Sequence, residues 1–238
     1  MRDDMKQYDV LFIDLDDTLY DFTANSLDTY REVYVLMGYD RWFRSFEHYY
    51  EIYWARNREL WVLYADNKIT KDQLNADRYT HPLRVMGVAD ADAVGARFWE
   101  ESMKRLPLGA KLMPHAREIL DYLKPQYRLY ILSNGFAELQ ARKMQSAGIG
   151  DYFDGVLLSE DIGVSKPHRE IFEYALRVAN VTADRALMIG DNFEVDIKGA
   201  QGVGIDQVYY NPEGKEPCPE DLKSTYTIKS LLELKGIV

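Results

Sequence analysis

Four short stretches, far apart in the chain, carry residue types with a shared chemistry. They are Asp14, Asp16 and Thr18 in DLDDT, Ser133, Asn134 and Gly135 in LSNG, Lys166 in VSKP, and Asp191 with Asp196 in GDNFEVD. Closely spaced carboxylates repel unless a cation holds them, and carboxylate oxygens with water make the oxygen shell that Mg2+ takes. Asp14 and Asp191 are the expected side-chain ligands. A carboxylate can also attack phosphorus, and an aspartyl phosphate splits one very slow hydrolysis into two easier displacements. Asp14 is the expected nucleophile. Asp16 follows across Leu15 and lies on the same side of an extended strand, or nearly so where the strand ends. It would protonate the leaving oxygen and then, as a carboxylate, take a proton from the attacking water, which calls for a raised pKa. Charge on the phosphoryl group needs fixed donors, supplied by the Lys166 ammonium, the Ser133 hydroxyl and backbone N–H groups around Asn134 and Gly135. Thr18 is counted with these substrate-side residues.

Each stretch follows a segment that reads as a strand. Tyr8 to Ile13 is apolar, partly β-branched and too short for a helix. Strands are likewise expected at Leu129 to Leu132, Gly155 to Leu158, Ala186 to Ile189 and Gln207 to Tyr210. Helices are expected at Pro114 to Lys124, Phe136 to Ala147, Glu170 to Asn180, Glu194 to Gln201 and Ser230 to Leu234. Short apolar strands separated by helices imply an α/β fold with a parallel sheet covered on both faces, and such sheets place their sites at the strand C-terminal edge. From Thr23 to Arg105 the pattern is helical throughout, with candidate helices at Thr23 to Met37, Ser45 to Tyr64, Thr70 to Met86 and Ala91 to Lys104, and breaks at Gly38, Asn67 and Gly87. The expected organisation is therefore a core of residues 1–20 and 108–238 with a helical insert at 21–107.

Several other patterns are set aside. DLDDT does not open an EF-hand loop, because Leu19 and Asn25 stand where Gly and Glu are required. Gly199, Gly202 and Gly204 do not have dinucleotide-binding spacing and end a helix instead of opening one. His48, His81, His115 and His168 show no metal-ligand spacing. The aromatic run with Trp54, Trp61 and Tyr64 reads first as core, with stacking of a nucleobase on Trp61 or Tyr64 as the sharper alternative. A formal charge of −10 opposes binding to a nucleic-acid polymer. Cys218 is the only cysteine, so no intrachain disulfide forms. Neither a signal-peptide h-region nor a membrane-length apolar run is seen, so a cytoplasmic protein with no membrane partner is expected and the sequon at Asn180 is read as accidental. Monomer and homodimer both stay open.

In order and separation, DLDDT, the Ser of LSNG, the Lys of SKP and GDNFEVD resemble the four motifs of the haloacid dehalogenase superfamily. The helical insert resembles the cap of its members with a cap of the first type. The resemblance implies a Rossmann-like core, Asp14 as nucleophile, and Asp16 as acid/base. It further implies Mg2+ on Asp14, Asp191 and the Asp16 backbone carbonyl, phosphate on Ser133 and Lys166, and Asp196 supporting Lys166 or the water shell of the metal. The stretches SNGFAELQARKMQSAGIGDYFD, SEDIGVSKPHREIFEYAL and LWVLYADNKITKDQL are similar to bacterial pyrimidine 5′-nucleotidases of this superfamily. A small phosphate monoester, and first a pyrimidine nucleoside 5′-monophosphate, is the implied substrate. Sugar-phosphate or N-acylneuraminate-phosphate phosphatases, and a phosphomutase, are the alternatives. An acid at Asp16 argues against dehalogenation, which needs neither it nor Mg2+.

Overall fold

The computed structural model describes residues 7–214 and 223–238; Cys218 and the first residues of the chain lie outside them. Contacts divide the chain into two compact units, Met1–Phe22 with Ala110–Val238, and Thr23–Gly109.

The first strand, β1 (Val10–Ile13), is buried along its whole length. Four helices follow: α1 (Phe22–Leu36), α2 (Phe46–Ala65), α3 (Lys71–Val85) and α4 (Ala91–Arg105). Next come α5 (Ala116–Leu123), β2 (Arg128–Ser133), α6 (Ala137–Ala147), β3 (Gly155–Leu158), α7 (Ser159–Ile162) and α8 (Arg169–Ala179). The chain then runs through β4 (Ala186–Gly190), a π-helical turn at Phe193–Ile197, α9 (Lys198–Gln201), β5 (Asp206–Tyr210) and β6 (Tyr226–Ile228).

All six strands are parallel, in the order β3-β2-β1-β4-β5-β6, so β1 lies between β2 and β4. Side chains alternate between two apolar clusters, as the strand period requires. Leu11, Ile13, Leu129, Ile131, Leu187 and Ile189 pack on one face with Ile119, Leu120 and Leu123 of α5. Val10, Phe12, Leu132 and Met188 pack on the other with Ile171, Phe172 and Ala175 of α8. Both helices bury a stripe at helical spacing, which is why neighbouring apolar residues on the strands need no polar face.

The helical unit has a core of its own, in which Tyr30, Tyr39, Tyr49, Tyr53, Tyr79 and Phe98 are buried. The Tyr30 hydroxyl shares hydrogen bonds with those of Tyr53 (3.0 Å) and Tyr79 (3.2 Å), which lets phenols be buried at low cost. Ser45 caps α2, and Thr70 with Gln73 forms a reciprocal cap on α3. The expected breaks at Gly38, Asn67 and Gly87 all adopt the left-handed conformation, with φ of 63°, 55° and 70°.

Four local expectations are corrected. Pro114 precedes α5 instead of opening it, because His115 takes a left-handed turn at φ 65° and the helix starts at Ala116. The segment expected as one helix over 194–201 is the π turn followed by α9. The expected closing helix is a 3-10 turn, Leu231–Gly236, capped by Ser230. Strand β6, only three residues long with no apolar run, was not expected.

Candidate active site

Ile13 of β1 stands level with Ile131 of β2 and Ile189 of β4, so Asp14 emerges at the middle of the sheet edge beside the ends of both neighbours. Its N–H donates to the Ile189 carbonyl at 2.9 Å, which fixes where β1 ends. Ser133 closes β2 and Asp191 follows β4, so the sheet register alone gathers three of the four stretches. Lys166 arrives in the loop between α7 and α8. Asn134 secures that loop: its Oδ1 accepts from the Lys166 N–H at 2.8 Å and its Nδ2 donates to the Lys166 carbonyl at 2.9 Å.

Two clusters result. In the first, the Lys166 ammonium donates to Asp14 Oδ1 (2.6 Å), Asp196 Oδ1 (2.6 Å) and the Leu132 carbonyl (2.7 Å). Lys166 and Asp196 are each only 1% exposed. The π turn is what carries Asp196 inward, and its Oδ2 accepts from the Asn192 N–H at 3.1 Å. Gly190 makes room, since a Cβ there would overlap the Asp196 carboxyl. Carboxylate oxygens of Asp14, Asp191 and Asp196 lie within 4.8 Å of one another. Thr18, fully buried, donates through Oγ1 to Asp191 Oδ1 at 3.3 Å.

In the second cluster, Asp16 turns away from the other carboxylates. Both its oxygens accept from the Lys143 ammonium, at 2.9 and 3.0 Å, and Gln140 Nε2 donates to its Oδ2 at 3.0 Å. The same amide donates to Ser133 Oγ at 2.7 Å, and the Gly135 N–H donates to that oxygen at 3.0 Å. Both lone pairs of the Ser133 hydroxyl are then occupied, and its proton is left for an incoming acceptor.

Electrostatics in the first cluster follow from a charge count: three carboxylates against one ammonium. Burial pushes Asp14 up to about 7, against the pull of Lys166 and with further upward pushes from Asp196 and Asp16. Asp191 is raised well above the usual carboxylate range by burial, then by Asp14 and Asp196. Burial works against the Lys166 charge, but Asp14 and Asp196 outweigh it and hold the ammonium above its usual range. Two negative charges in excess, on hard oxygen donors, are what a divalent cation such as Mg2+ would balance, so the residues fit that metal.

Several of the expected site residues have partners within the protein. Thr18 spends its proton on Asp191, the Asn134 side chain on the Lys166 loop, and the Gly135 N–H on Ser133. The converging side-chain carboxylates are those of Asp14, Asp191 and Asp196, whereas that of Asp16 is bound by Lys143. Lys143 and Gln140 were not singled out. Their signal lies in the sequence: α6 buries Leu139, Gln140, Lys143, Met144 and Ala147 as one stripe, and two polar residues on a core-facing stripe require an explanation.

A family model described as haloacid dehalogenase-like hydrolase matches residues 8–204. The HAD-hydrolase YfnB of Bacillus subtilis is 32% identical over 235 residues, 98% of this chain and 97% of its own. Its crystal structure, bound to magnesium, matches with a TM-score of 0.86 at 31% identity, covering 98% of this chain and 99% of that one. The pyrimidine 5′-nucleotidase YjjG of Escherichia coli is 31% identical over 233 residues, 98% of each chain. The ribulose-1,5-bisphosphate 5-phosphatase of Halopiger xanaduensis is 29% identical over 251 residues, covering 96% of this chain and 98% of its own.

Proposed function

Since the chain belongs to the haloacid dehalogenase-like hydrolase family, we propose that it is a Mg2+-dependent phosphatase that cleaves phosphate monoesters through an aspartyl phosphate on Asp14, with pyrimidine nucleoside 5′-monophosphates as the preferred substrates. The observation that carries this reading is the buried cluster of Asp14, Asp191 and Asp196 around Lys166 at the C-terminal edge of the sheet. Asp14 and Asp191 would hold the metal, with the Asp16 main-chain oxygen. When bound, Mg2+ supplies positive charge that offsets repulsion between the carboxylates and a phosphoryl group.

The chain's own residues account for the other steps. Lys166 holds Asp14 by Oδ1 and orients it for attack. An oxygen of Asp14 bonds to phosphorus as the bond to the leaving oxygen breaks, and Asp16 gives that oxygen a proton. Water then attacks phosphorus, Asp16 takes its proton, and the bond to Asp14 breaks to release phosphate. Lys166 and the free proton of Ser133 meet the charge on the phosphoryl oxygens. Asp196 keeps Lys166 in place.

The nucleotide preference is supported by similarity to YjjG over the full chain. A second reading, a sugar-phosphate phosphatase, is favoured by the Halopiger relative. Phosphate release by the purified protein with Mg2+ across nucleoside monophosphates and sugar phosphates decides between them. Pyrimidine 5′-monophosphates are expected to give the highest kcat/KM, and Asp14→Asn is expected to abolish turnover with the fold intact. Activity retained in Asp14→Asn would remove the nucleophile from this account.

A further inference from the structure

We infer that Lys143 and Gln140 of α6 are positioning residues for Asp16, forming a clamp that fixes the acid/base carboxylate and ties it to Ser133; this rests on the assignment of Asp16 in the proposed phosphatase reaction. Asp16 sits in a turn, immediately before Asp17 with its left-handed φ of 60°, and its side chain is 28% exposed. Left alone, such a carboxylate would sample several rotamers in water. Three hydrogen bonds prevent that: one from Lys143 to Oδ1, and one each from Lys143 and Gln140 to Oδ2. Together they fix both the rotamer and the plane of the carboxyl group.

The clamp is itself held rigidly. The Lys143 side chain is 3% exposed, and its ammonium lies 4.5 Å from the centre of the Phe22 ring and 5.6 Å from that of Tyr20. Gln140, one helical turn earlier on the same face of α6, is fully buried. Its Nε2 bridges Asp16 and Ser133, while its Oε1 has no hydrogen-bond partner. Gly135 leaves space for this amide, because a Cβ there would overlap it.

Stability is a poor explanation for these features. A buried lysine–carboxylate pair can commonly be replaced as a whole by apolar side chains of similar volume without loss, and an orphaned amide oxygen is a cost. Pre-organisation explains them: the group that protonates the leaving oxygen must sit within hydrogen-bond reach of it, and the donor on the phosphoryl side must keep a fixed distance from that group. The Gln140 bridge sets that distance, and Lys143 locks it.

The test compares kcat/KM for an alkyl ester, uridine 5′-monophosphate, with that for p-nitrophenyl phosphate, in the wild type, Lys143→Met and Lys143→Gln. This ratio reports steps only up to transfer of the phosphoryl group to Asp14. An alkoxide must be protonated as it leaves, whereas p-nitrophenolate leaves readily without a proton. A clamp on the acid therefore predicts a loss of about 100-fold on the alkyl ester and less than about 5-fold on the aryl ester. Asp16→Asn should show the same split. Circular dichroism confirms that the variants are folded, and Lys143→Gln, which keeps a polar group in the slot, serves if Lys143→Met does not fold. Equal losses on both esters in a folded variant, or no loss on either, would overturn the clamp while leaving the phosphatase reading intact. Absence of Mg2+-dependent phosphate release in the wild type would overturn that reading, and the clamp with it.

Discussion

Asp14, Asp191 and Asp196 bring three negative charges into a buried space where Lys166 supplies one positive charge. In metal-free protein this excess acts on the native state alone, since the unfolded chain separates the groups in water. Asp14 rises from an ordinary 3.8 to about 7. Between those values the native state keeps a proton that the unfolded chain has released, so this group's contribution to stability falls as pH rises from about 4 to about 7 and is level above that. Asp14→Asn removes the penalty. The difference in Tm between Asp14→Asn and wild type, measured by thermal melts in chelator, should therefore widen from pH 5 to pH 7.5. It should shrink when Mg2+ is added. A difference that does not change with pH would show that the charge excess is relieved in another way. At this scale the sequence singles out Asp14, Lys166, Asp191 and Asp196 by residue type and spacing, and the structure brings these four into one buried cluster. It is silent on which partner each chooses: Thr18 turning to Asp191 and Asp16 to Lys143 depend on side-chain directions that only the packed turn after β1 determines.

Where α3 and α4 cross, Gly95 sets their separation: a Cβ there would come within 2.6 Å of Thr80 Cγ2 and 3.1 Å of the Thr80 backbone. The methyl could rotate away, but the backbone of a capped helix cannot yield as readily. Gly95→Ala gains about 1 kcal/mol of helix propensity and loses about 1–3 kcal/mol to overpacking. A net loss is expected in urea unfolding, and an increase in stability would mean that the helices slide apart freely. On α2, Trp54 packs against the helical unit's core, whereas Trp61 and Tyr64 are half-buried and pair edge to face at 5.8 Å. The core and nucleobase-stacking readings of that pair differ in what they expect of substrate affinity. Trp61→Ala should raise KM for uridine 5′-monophosphate more than for p-nitrophenyl phosphate, and equal changes would return the pair to a structural role. Elements were legible where period and punctuation agreed, as at Ser45, Thr70, Gly38 and Gly87, which bound helices where capping chemistry puts them. They were not legible where tertiary demands overrode local preference. Residues 193–201 break into a π turn and α9 because Asp196 must reach Lys166, and β6 has three residues whose strand form comes from pairing with β5.

The two compact units each have their own apolar core: one shared by the sheet and its helices, the other made of tyrosines and phenylalanines from α1 to α4. Every residue of the four motifs lies in the first unit. Among the described residues no helix is long and apolar enough to cross a membrane, and the net charge of −10 works against polyanionic partners. Separate cores, with one group of converging carboxylates among the described residues, make a prediction about cooperativity. A ligand that binds only the native form of one unit stabilises that unit by about 2.7 kcal/mol when present at 100 times its Kd. It adds nothing to a unit that it does not touch. Scanning calorimetry is therefore expected to resolve two transitions, of which Mg2+ raises only the one belonging to the sheet unit. Asp191→Asn should abolish that rise without moving the other transition, because it removes one carboxylate of the proposed Mg2+ site and leaves the tyrosine cluster unchanged. A single transition would show that the two units unfold together, and an equal Mg2+ shift in both would show that the helical unit's stability depends on the carboxylate cluster.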